Sequence, residues 1–214
     1  MKPMQNPVCV WLIRHGETEW NRRIVWQGQM DLPLSPEGVA QAYDLAERFR
    51  DVPLGRVVSS DLLRARQTAE ILAEPHRLPV YATPDLREVN VGRAEGLTTR
   101  EVMECFGEEP VKLWRDPRLL DNGFPGGELK REALERARRV IEHEASQLPR
   151  GDLAVVFHGL IMRVLLHSWF PEIDGPLVIP NCGYLSVWFD AERDLWIPGE
   201  GLDRFLVSPA EVGA

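Results

Sequence analysis

Cysteine is scarce in this chain of 214 residues. The three cysteines, Cys9, Cys105 and Cys182, cannot form an even disulfide framework, and their spacing matches no metal site. We interpret them as reduced thiols. His76, His143 and His167 also have no partner at metal-ligand spacing, so the sequence predicts neither a metal site nor a cofactor.

Long apolar runs are missing as well. The first seven residues contain no basic segment followed by a long apolar core, and the apolar run after them is too short to span a membrane. We therefore expect a cytoplasmic protein with no membrane partner. The chain has no repeats, and its apolar content of 44% is ordinary for a globular domain. One domain over residues 1–214 is expected, with residues 208–214 frayed.

Positive charge is in deficit. The formal net charge is -8 and the pI is about 5.2, which argues against a nucleic-acid partner because such binding needs spread positive charge. An acidic surface also repels anionic small molecules weakly. A phosphate site in this chain must therefore be a local cluster of arginines.

Two apolar strands end in the same short motif. Residues 9–13 lead into Arg14 and then His15-Gly16, and residues 152–157 lead into His158-Gly159. Parallel strands present their carboxyl ends at one edge of a sheet, so the two imidazoles are predicted to converge there. Glycine after each histidine permits a tight turn and lets backbone N–H groups approach an anion.

The order of the elements predicts an α/β fold in three layers, a mostly parallel sheet flanked by helices. Predicted helices cover residues 61–73, 129–147 and 160–170, and another begins after Ser35 with Pro36 at its first position. Predicted strands cover residues 55–60 and 78–81, with a closing hairpin at 182–198. Residues 18–33 are predicted to be a long loop. Residues 84–127 break the alternation, and we expect them to form a helical cap over the active site, with short helices near 98–105 and 111–115.

Three segments together resemble one protein family. Arg14-His15-Gly16-Glu17, then Asn21, Gln27-Gly28 and residues 31–35, closely resemble the opening of the histidine phosphatase superfamily, which is phosphoglycerate-mutase-like. Residues 59–70 match its Ser-Ser-x-Leu-x-Arg-Ala-x-Gln-Thr-Ala signature, in which Arg64 is the arginine. Residues 86–98 resemble its acid/base segment.

This resemblance implies a role for each matching residue. His15 would be phosphorylated during turnover, with Arg14, Arg64 and His158 around the phosphate, and Glu88 would be the acid/base. Glu95 is the alternative for the acid/base role, and the resemblance favours Glu88. Asn21, Gln27 and Gly28 would line the mouth of the pocket, and Gly159 would offer its N–H. The alternatives are that Asn21 caps a turn and that Gly28 serves only the backbone geometry.

Phosphoryl transfer suits these residue types. A phosphate monoester is doubly charged near neutral pH, and arginine forks bind its oxygens through paired hydrogen bonds. The transition state needs placement and fixed positive charge. The same positive charge disfavours the imidazolium form of His15 and keeps its nucleophilic nitrogen available. Beside a bound dianion, Glu88 is favoured in its protonated form, ready to protonate the leaving oxygen.

The expected activity is hydrolysis of small phosphorylated metabolites by an enzyme of the histidine acid phosphatase type. Mutases of the family carry Glu-Arg-His-Tyr-Gly at the acid position and a longer insertion, whereas this chain has Asn90 and Val91 after Glu88 and Val89. Mutase activity is the first alternative, and an idle member that binds phosphorylated ligands is the second. Ala94 and Leu129 depart from the family pattern, in which tryptophan and serine are usual. A homodimer is a further possibility implied by the resemblance.

Overall fold

The computed structural model of the protein describes residues 7–206. Its centre is a six-stranded sheet of β1 (Val8–Arg14), β2 (Leu54–Ser60), β3 (Val80–Thr83), β4 (Asp152–Phe157), β5 (Tyr184–Asp190) and β6 (Leu195–Pro198). The strand order is β3-β2-β4-β1-β5-β6. The first four are parallel, and β5 and β6 form an antiparallel hairpin against β1. The predicted mostly parallel sheet is confirmed.

Helices cover both faces of the sheet. They are α1 (Glu19–Arg22), α2 (Pro36–Arg48), α3 (Leu63–Ala73), α4 (Thr99–Phe106), α5 (Glu108–Arg115), α6 (Lys130–Gln147) and α7 (Gly159–Trp169). Strand β4 shows how the layers are built, because its side chains alternate between the two faces. Leu153, Val155 and Phe157 pack in the cluster of α6 and α7, whereas Ala154 and Val156 pack in the cluster of α2 and α3. The predicted three-layer α/β fold is therefore confirmed.

The segment predicted as a loop at residues 18–33 contains a helix, which corrects that prediction. Helix α1 has only four residues, too few to give a periodic pattern. A reciprocal cap holds it: the Oγ1 of Thr18 accepts from the N–H of Asn21, and the Oδ1 of Asn21 accepts from the N–H of Thr18. The side-chain amide of Asn181 donates both to Oδ1 of Asn21 and to the carbonyl of His15, at 3.3 and 3.1 Å, and so links the cap to the end of β1.

The segment 84–127 contains α4 and α5 and connects β3 to α6. Its aromatic side chains pack with the loop before Gly28: Trp26 stacks on Trp114 at a ring distance of 6.4 Å, and Phe124 meets both rings edge-on. Lys130, which is 0% exposed, ties the end of α5 to α6. Its ammonium donates to the carbonyls of Leu113, Trp114 and Asp116, at 3.4, 3.0 and 2.6 Å.

The two departures from the family pattern lie at this cap. Ala94 is fully buried in the apolar cluster under α4 and α5. Leu129 precedes α6 as its N-cap residue and is 39% exposed. Leucine has no polar atom to cap a helix, and the carboxylate of Glu132 accepts the N–H of Leu129 at 2.8 Å instead. Neither residue lines the cavity described below.

Within residues 7–206, no helix is both long and apolar enough to cross a membrane. The same residues hold no cluster of three or more His, Cys, Asp and Glu side chains suited to a metal ion. The segment 208–214, predicted to be frayed, lies outside the described residues.

Candidate active site

The end of β1 places His15 at the centre of the site. Its N–H donates to the carbonyl of Phe157 at 3.0 Å, which joins the ends of the two parallel strands. The N–H of Gly16 donates to the hydroxyl of Thr68 on α3 at 3.0 Å. These contacts fix the turn, and they leave the imidazole of His15 only 3% exposed.

The tautomer of His15 follows from its contacts. Nδ1 lies 2.7 Å from the carbonyl oxygen of Gly16, which can only accept, so Nδ1 carries the proton. Nε2 therefore carries the lone pair, which accepts the Nε–H of Arg64 at 3.3 Å. The side of the ring that faces Arg64 is the nucleophilic side.

Arg64 on α3 is held by backbone carbonyls. Its Nη1 donates to Met30 at 2.7 Å and its Nη2 to Gly28 at 2.9 Å, and it is 1% exposed. Within the described residues Arg64 has no ion pair with a carboxylate, so its positive charge remains available to an anion. Gly28 adopts a φ of +47°, and a side chain there would collide with the Glu95 carboxylate.

Arg14 approaches from the opposite side of the site. Its Nη1 donates to the carbonyl of Ile179 at 2.6 Å, while its buried Nε has no partner among the described residues. A Cβ at Gly159 would lie 3.2 Å from that Nε, so glycine leaves the space that Arg14 fills. Gly159 is thus placed beside a phosphate-binding candidate, as the sequence predicts.

His158 ends β4 and lies against His15, with a distance of 5.1 Å between the ring centroids. It is 0% exposed, and neither ring nitrogen has a hydrogen-bond partner in the described part of the chain. His158 is not among the residues that line the cavity, but it lies against His15, which is. A buried imidazole with no hydrogen-bond partner has unused hydrogen-bonding capacity, and only a group that reaches the contact between His15 and His158 could satisfy it.

Burial and charge keep both histidines neutral. Burial is the main cause that lowers the pKa of His15 well below its ordinary value, and the cations Arg64 and Arg14 lower it further. The pKa of His158 is also lowered, first by burial and then by Arg64 and His15. Burial lowers the pKa of Arg64 to about 10, so it stays a cation at neutral pH. The site therefore combines fixed guanidinium charges with a neutral imidazole at His15.

Glu88 faces the site from the cap side. One carboxylate oxygen accepts the N–H of Leu160, and the other accepts those of Ile161 and Val89, at 3.0, 3.0 and 2.9 Å. Two of these donors form the N-terminus of α7, a position that suits a negative charge. Glu95 differs, because its carboxylate accepts the N–H of Gln29 and does not line the cavity. The geometry favours Glu88 over Glu95 as the acid/base.

Nearly all the predicted site residues line one cavity of about 790 Å³. The sequence-predicted residues that line it are Arg14, His15, Asn21, Gln27, Gly28, Arg64, Glu88 and Gly159. Asn21 both caps α1 and lines the cavity, so its two alternative roles coexist. Gln27 has a buried side-chain oxygen with no partner among the described residues. The volume is large for a lone phosphate and lies in the range of small-molecule sites.

The sequence reasoning missed part of the cavity wall. Two arginines line it, Arg115 at the end of α5 and Arg163 on α7, together with Trp20, Trp26 and Trp114. Arg163 carried a usable signal, since it is the only charged residue in the otherwise apolar sequence of α7 apart from His167. Arg115 carried none, because it ends a short helix whose orientation depends on tertiary packing.

Comparison with known proteins agrees with this geometry. The family model for the histidine phosphatase superfamily (branch 1) matches residues 10–194, and the chain belongs to that superfamily. A probable phosphoglycerate mutase GpmB of Erwinia tasmaniensis is 37% identical over 194 residues, covering 88% of this chain and 87% of the relative. Its counterpart from Escherichia coli O1:K1 is 34% identical with the same coverage.

Solved structures show the same fold. A mycobacterial glucosyl-3-phosphoglycerate phosphatase superposes with a TM-score of 0.78 at 26% identity, covering 90% of this chain and 97% of that one. Bacillus stearothermophilus YhfR gives a TM-score of 0.79 at 26% identity, with coverage of 94% and 98%. Members of the superfamily with these names are enzymes that act on phosphate esters, either as phosphatases or as mutases.

Proposed function

We propose that the protein is a phosphomonoesterase that hydrolyses small phosphorylated metabolites through a phosphohistidine at His15. The observation that carries the proposal is the neutral imidazole of His15, whose Nε2 lone pair faces Arg64 while its proton sits on Nδ1. Arg14 and Arg64 supply positive charge for a phosphate dianion, and His158 and the N–H of Gly159 add donors.

The first half-reaction transfers the phosphoryl group to the protein. The Nε–H of Arg64 turns from Nε2 of His15 to a phosphate oxygen, which frees the lone pair. Nε2 attacks phosphorus, the bond to the ester oxygen breaks, and protonated Glu88 gives its proton to that oxygen. The alcohol leaves and Glu88 is left as a carboxylate, which the N-terminus of α7 stabilises.

The second half-reaction restores the protein. The Glu88 carboxylate takes a proton from water, the water oxygen attacks phosphorus, and the phosphorus–nitrogen bond breaks. Inorganic phosphate leaves, and His15 regains the neutral form with its proton on Nδ1. The proton that Glu88 gave to the alcohol is thereby replaced by one from water, so the cycle closes.

Hydrolysis is proposed over phosphoglycerate mutation because of the wall beside Glu88. Val89 and Val91 line the cavity there, where mutases of the family carry basic and aromatic residues. This part of the wall is less basic than in the mutases and retains a bisphosphate intermediate less well, which favours attack of water on the phosphohistidine, although Arg115 and Arg163 line other parts of the cavity. The relatives described above are compatible with either activity, since they include both a probable phosphoglycerate mutase and a glucosyl-3-phosphoglycerate phosphatase. Mutase activity is therefore the second candidate.

Two measurements test the proposal. Release of inorganic phosphate from a panel of phosphomonoesters is compared with conversion of 3-phosphoglycerate to 2-phosphoglycerate, and rapid isomerisation with little phosphate release would favour the mutase. A reaction quenched in alkali should carry one phosphoryl group on the peptide that contains His15, and His15→Ala should lose both the label and turnover. A wild-type chain that binds phosphate but turns over no ester would support the idle phosphate-binding member.

A further inference from the structure

The loop that carries Glu88 belongs to no helix or strand. Residues 87–91 have no regular secondary structure, so their backbone N–H and C=O groups must find partners in side chains or in other segments. The Glu88 carboxylate reaches the N–H groups at the start of α7 only while this loop keeps its place. The partners of the loop backbone therefore decide where the acid/base lies.

Arg136, on α6, binds the main chain of this loop. Its guanidinium donates to three backbone carbonyls, those of Asp85, Arg87 and Glu88, at 2.8, 2.7 and 3.0 Å. The same group pairs with the Glu128 carboxylate through two hydrogen bonds of 2.6 and 3.2 Å. An arginine offers five N–H donors in one rigid plane and can reach all of these acceptors, whereas the single nitrogen of lysine cannot. One side chain thus fixes the main chain at and before Glu88.

Glu128 and Gln29 bind the other side of the loop. Oε1 of Glu128 accepts the N–H of Asn90 at 2.8 Å and the side-chain amide of Gln29 at 3.3 Å. That amide also donates to the carbonyl of Glu88 at 3.1 Å, so this carbonyl accepts from both Gln29 and Arg136. The side chains of Glu128 and Arg136 are only 18% and 15% exposed, and solvent ions therefore screen their pairing weakly.

Gln29 also connects this loop to the phosphate-binding arginine. Its two neighbours in the chain, Gly28 and Met30, hold the guanidinium of Arg64 through their carbonyls, at 2.9 and 2.7 Å. The side chain of Gln29 meanwhile holds the carbonyl of Glu88. One short segment therefore fixes the acid/base relative to the group that binds the phosphate.

We propose that Arg136, Glu128 and Gln29 are positioning residues that hold Glu88 within reach of the leaving oxygen. None of the three is among the residues that line the cavity, so they act through Glu88. This inference rests on the proposed phosphomonoesterase function with Glu88 as the acid. Proton transfer needs hydrogen-bond reach, and a displacement of about 1 Å can cost about 10²-fold in rate. A leaving group that needs no proton is insensitive to such a displacement.

The experiment compares two leaving groups. kcat/KM is measured for p-nitrophenyl phosphate and for the alkyl phosphate that the wild type hydrolyses fastest in the phosphomonoester panel. This parameter covers the steps up to release of the alcohol, in which Glu88 acts as an acid. In Arg136→Met we expect kcat/KM to fall by about 10- to 100-fold for the alkyl phosphate and to change little for p-nitrophenyl phosphate. Gln29→Met should shift the ratio in the same direction.

A double variant separates positioning from a general loss of structure. Arg136→Met added to Glu88→Gln should lower kcat/KM for the alkyl phosphate no further, because no acid remains to be positioned. A merely structural role would lower both substrates alike, and its effect would multiply with that of Glu88→Gln.

Arg138→Met is the matched control, since Arg138 lies on the same helix and pairs with Glu142 and Asp194 instead. It should keep the wild-type ratio of the two substrates. Equal losses for both substrates in Arg136→Met and Gln29→Met would overturn the proposal, as would a Glu88→Gln variant with no dependence on the leaving group. If Arg136→Met does not fold, Gln29→Met decides the outcome. Failure of the underlying function looks different, because then the wild type hydrolyses no ester, including p-nitrophenyl phosphate.

Discussion

Substitution of Arg64 tests whether its positive charge helps to keep His15 neutral. Its Nε lies 3.3 Å from the Nε2 of His15, and two unit charges about 4 Å apart interact by about 4 kcal/mol at an effective dielectric constant of about 20. An interaction of that size adds to the larger effect of burial on the pKa of His15. Because the cation lowers the pKa of His15, its removal in Arg64→Met raises that pKa. Protonated His15 cannot attack phosphorus, so activity is then lost at a higher pH.

The assay is the pH dependence of kcat/KM for p-nitrophenyl phosphate. In the wild type the acid limb should lie well below pH 6.5, and in Arg64→Met it should move to higher pH, with kcat/KM lowered by about 10²- to 10³-fold because a charged donor is gone. Arg64→Lys keeps the charge but loses the fork, so its acid limb should stay near that of the wild type. NMR titration of the His15 ring gives the same comparison without turnover. Coincident acid limbs for wild type and Arg64→Met would refute the reasoning.

Three other perturbations test the remaining parts of the site. Glu88→Gln should lower kcat by about 10²- to 10⁴-fold for alkyl phosphates but much less for p-nitrophenyl phosphate, whose leaving group needs no proton; Glu95→Gln should show no such dependence on the leaving group. The unfolding free energy of the wild type should decrease as the pH falls below about 6.5, because His158 and His15 have lowered pKa values when folded and the unfolded chain binds more protons. Chemical denaturation of His158→Gln at several pH values should show an unfolding free energy that falls less steeply with decreasing pH than that of the wild type. The two slopes should differ by up to about 1.4 kcal/mol per pH unit, and equal slopes would contradict this prediction. Gly28→Ala should lower the unfolding free energy by about 1–3 kcal/mol and raise KM, since φ at Gly28 is +47° and its carbonyl holds Arg64; an unchanged KM would show that Gly28 does not position Arg64.

The parts of the site that could be predicted from the sequence follow from periodicity and strand ends. Arg14 ends β1, and His15 and His158 directly follow β1 and β4. Parallel strands bring such ends together, so this proximity could be predicted without knowledge of the packing. The place of Arg64 in the site could be predicted only from the family signature, because a single arginine on a helix is usually solvated. The neutral state of His15 followed from the expected cations, although burial proves to be the larger cause.

The rest of the site depends on tertiary contacts that carry no local signal. The N–H groups of Leu160 and Ile161 donate to the Glu88 carboxylate, although these residues lie more than 70 positions after Glu88 in the sequence. Helix α1 is too short to show a helical period of apolar residues, so the sequence predicts a loop where its capping pair lies. The orientation of α5, and with it the place of Arg115, is set by the buried Lys130.

The attachment of the cap has an evolutionary consequence. The histidines and arginines of the proposed active site come from the sheet edge and α3, whereas Trp114 and Arg115 come from a segment that Lys130 anchors to α6 through hydrogen bonds to three backbone carbonyls and a contact with the Trp114 ring. Carbonyls are present whatever side chains the segment carries. Exposed positions of α5 such as Arg115 can therefore be substituted without loss of this anchor, so descendants of this gene can vary the cap wall of the cavity while the residues at the sheet edge stay in place.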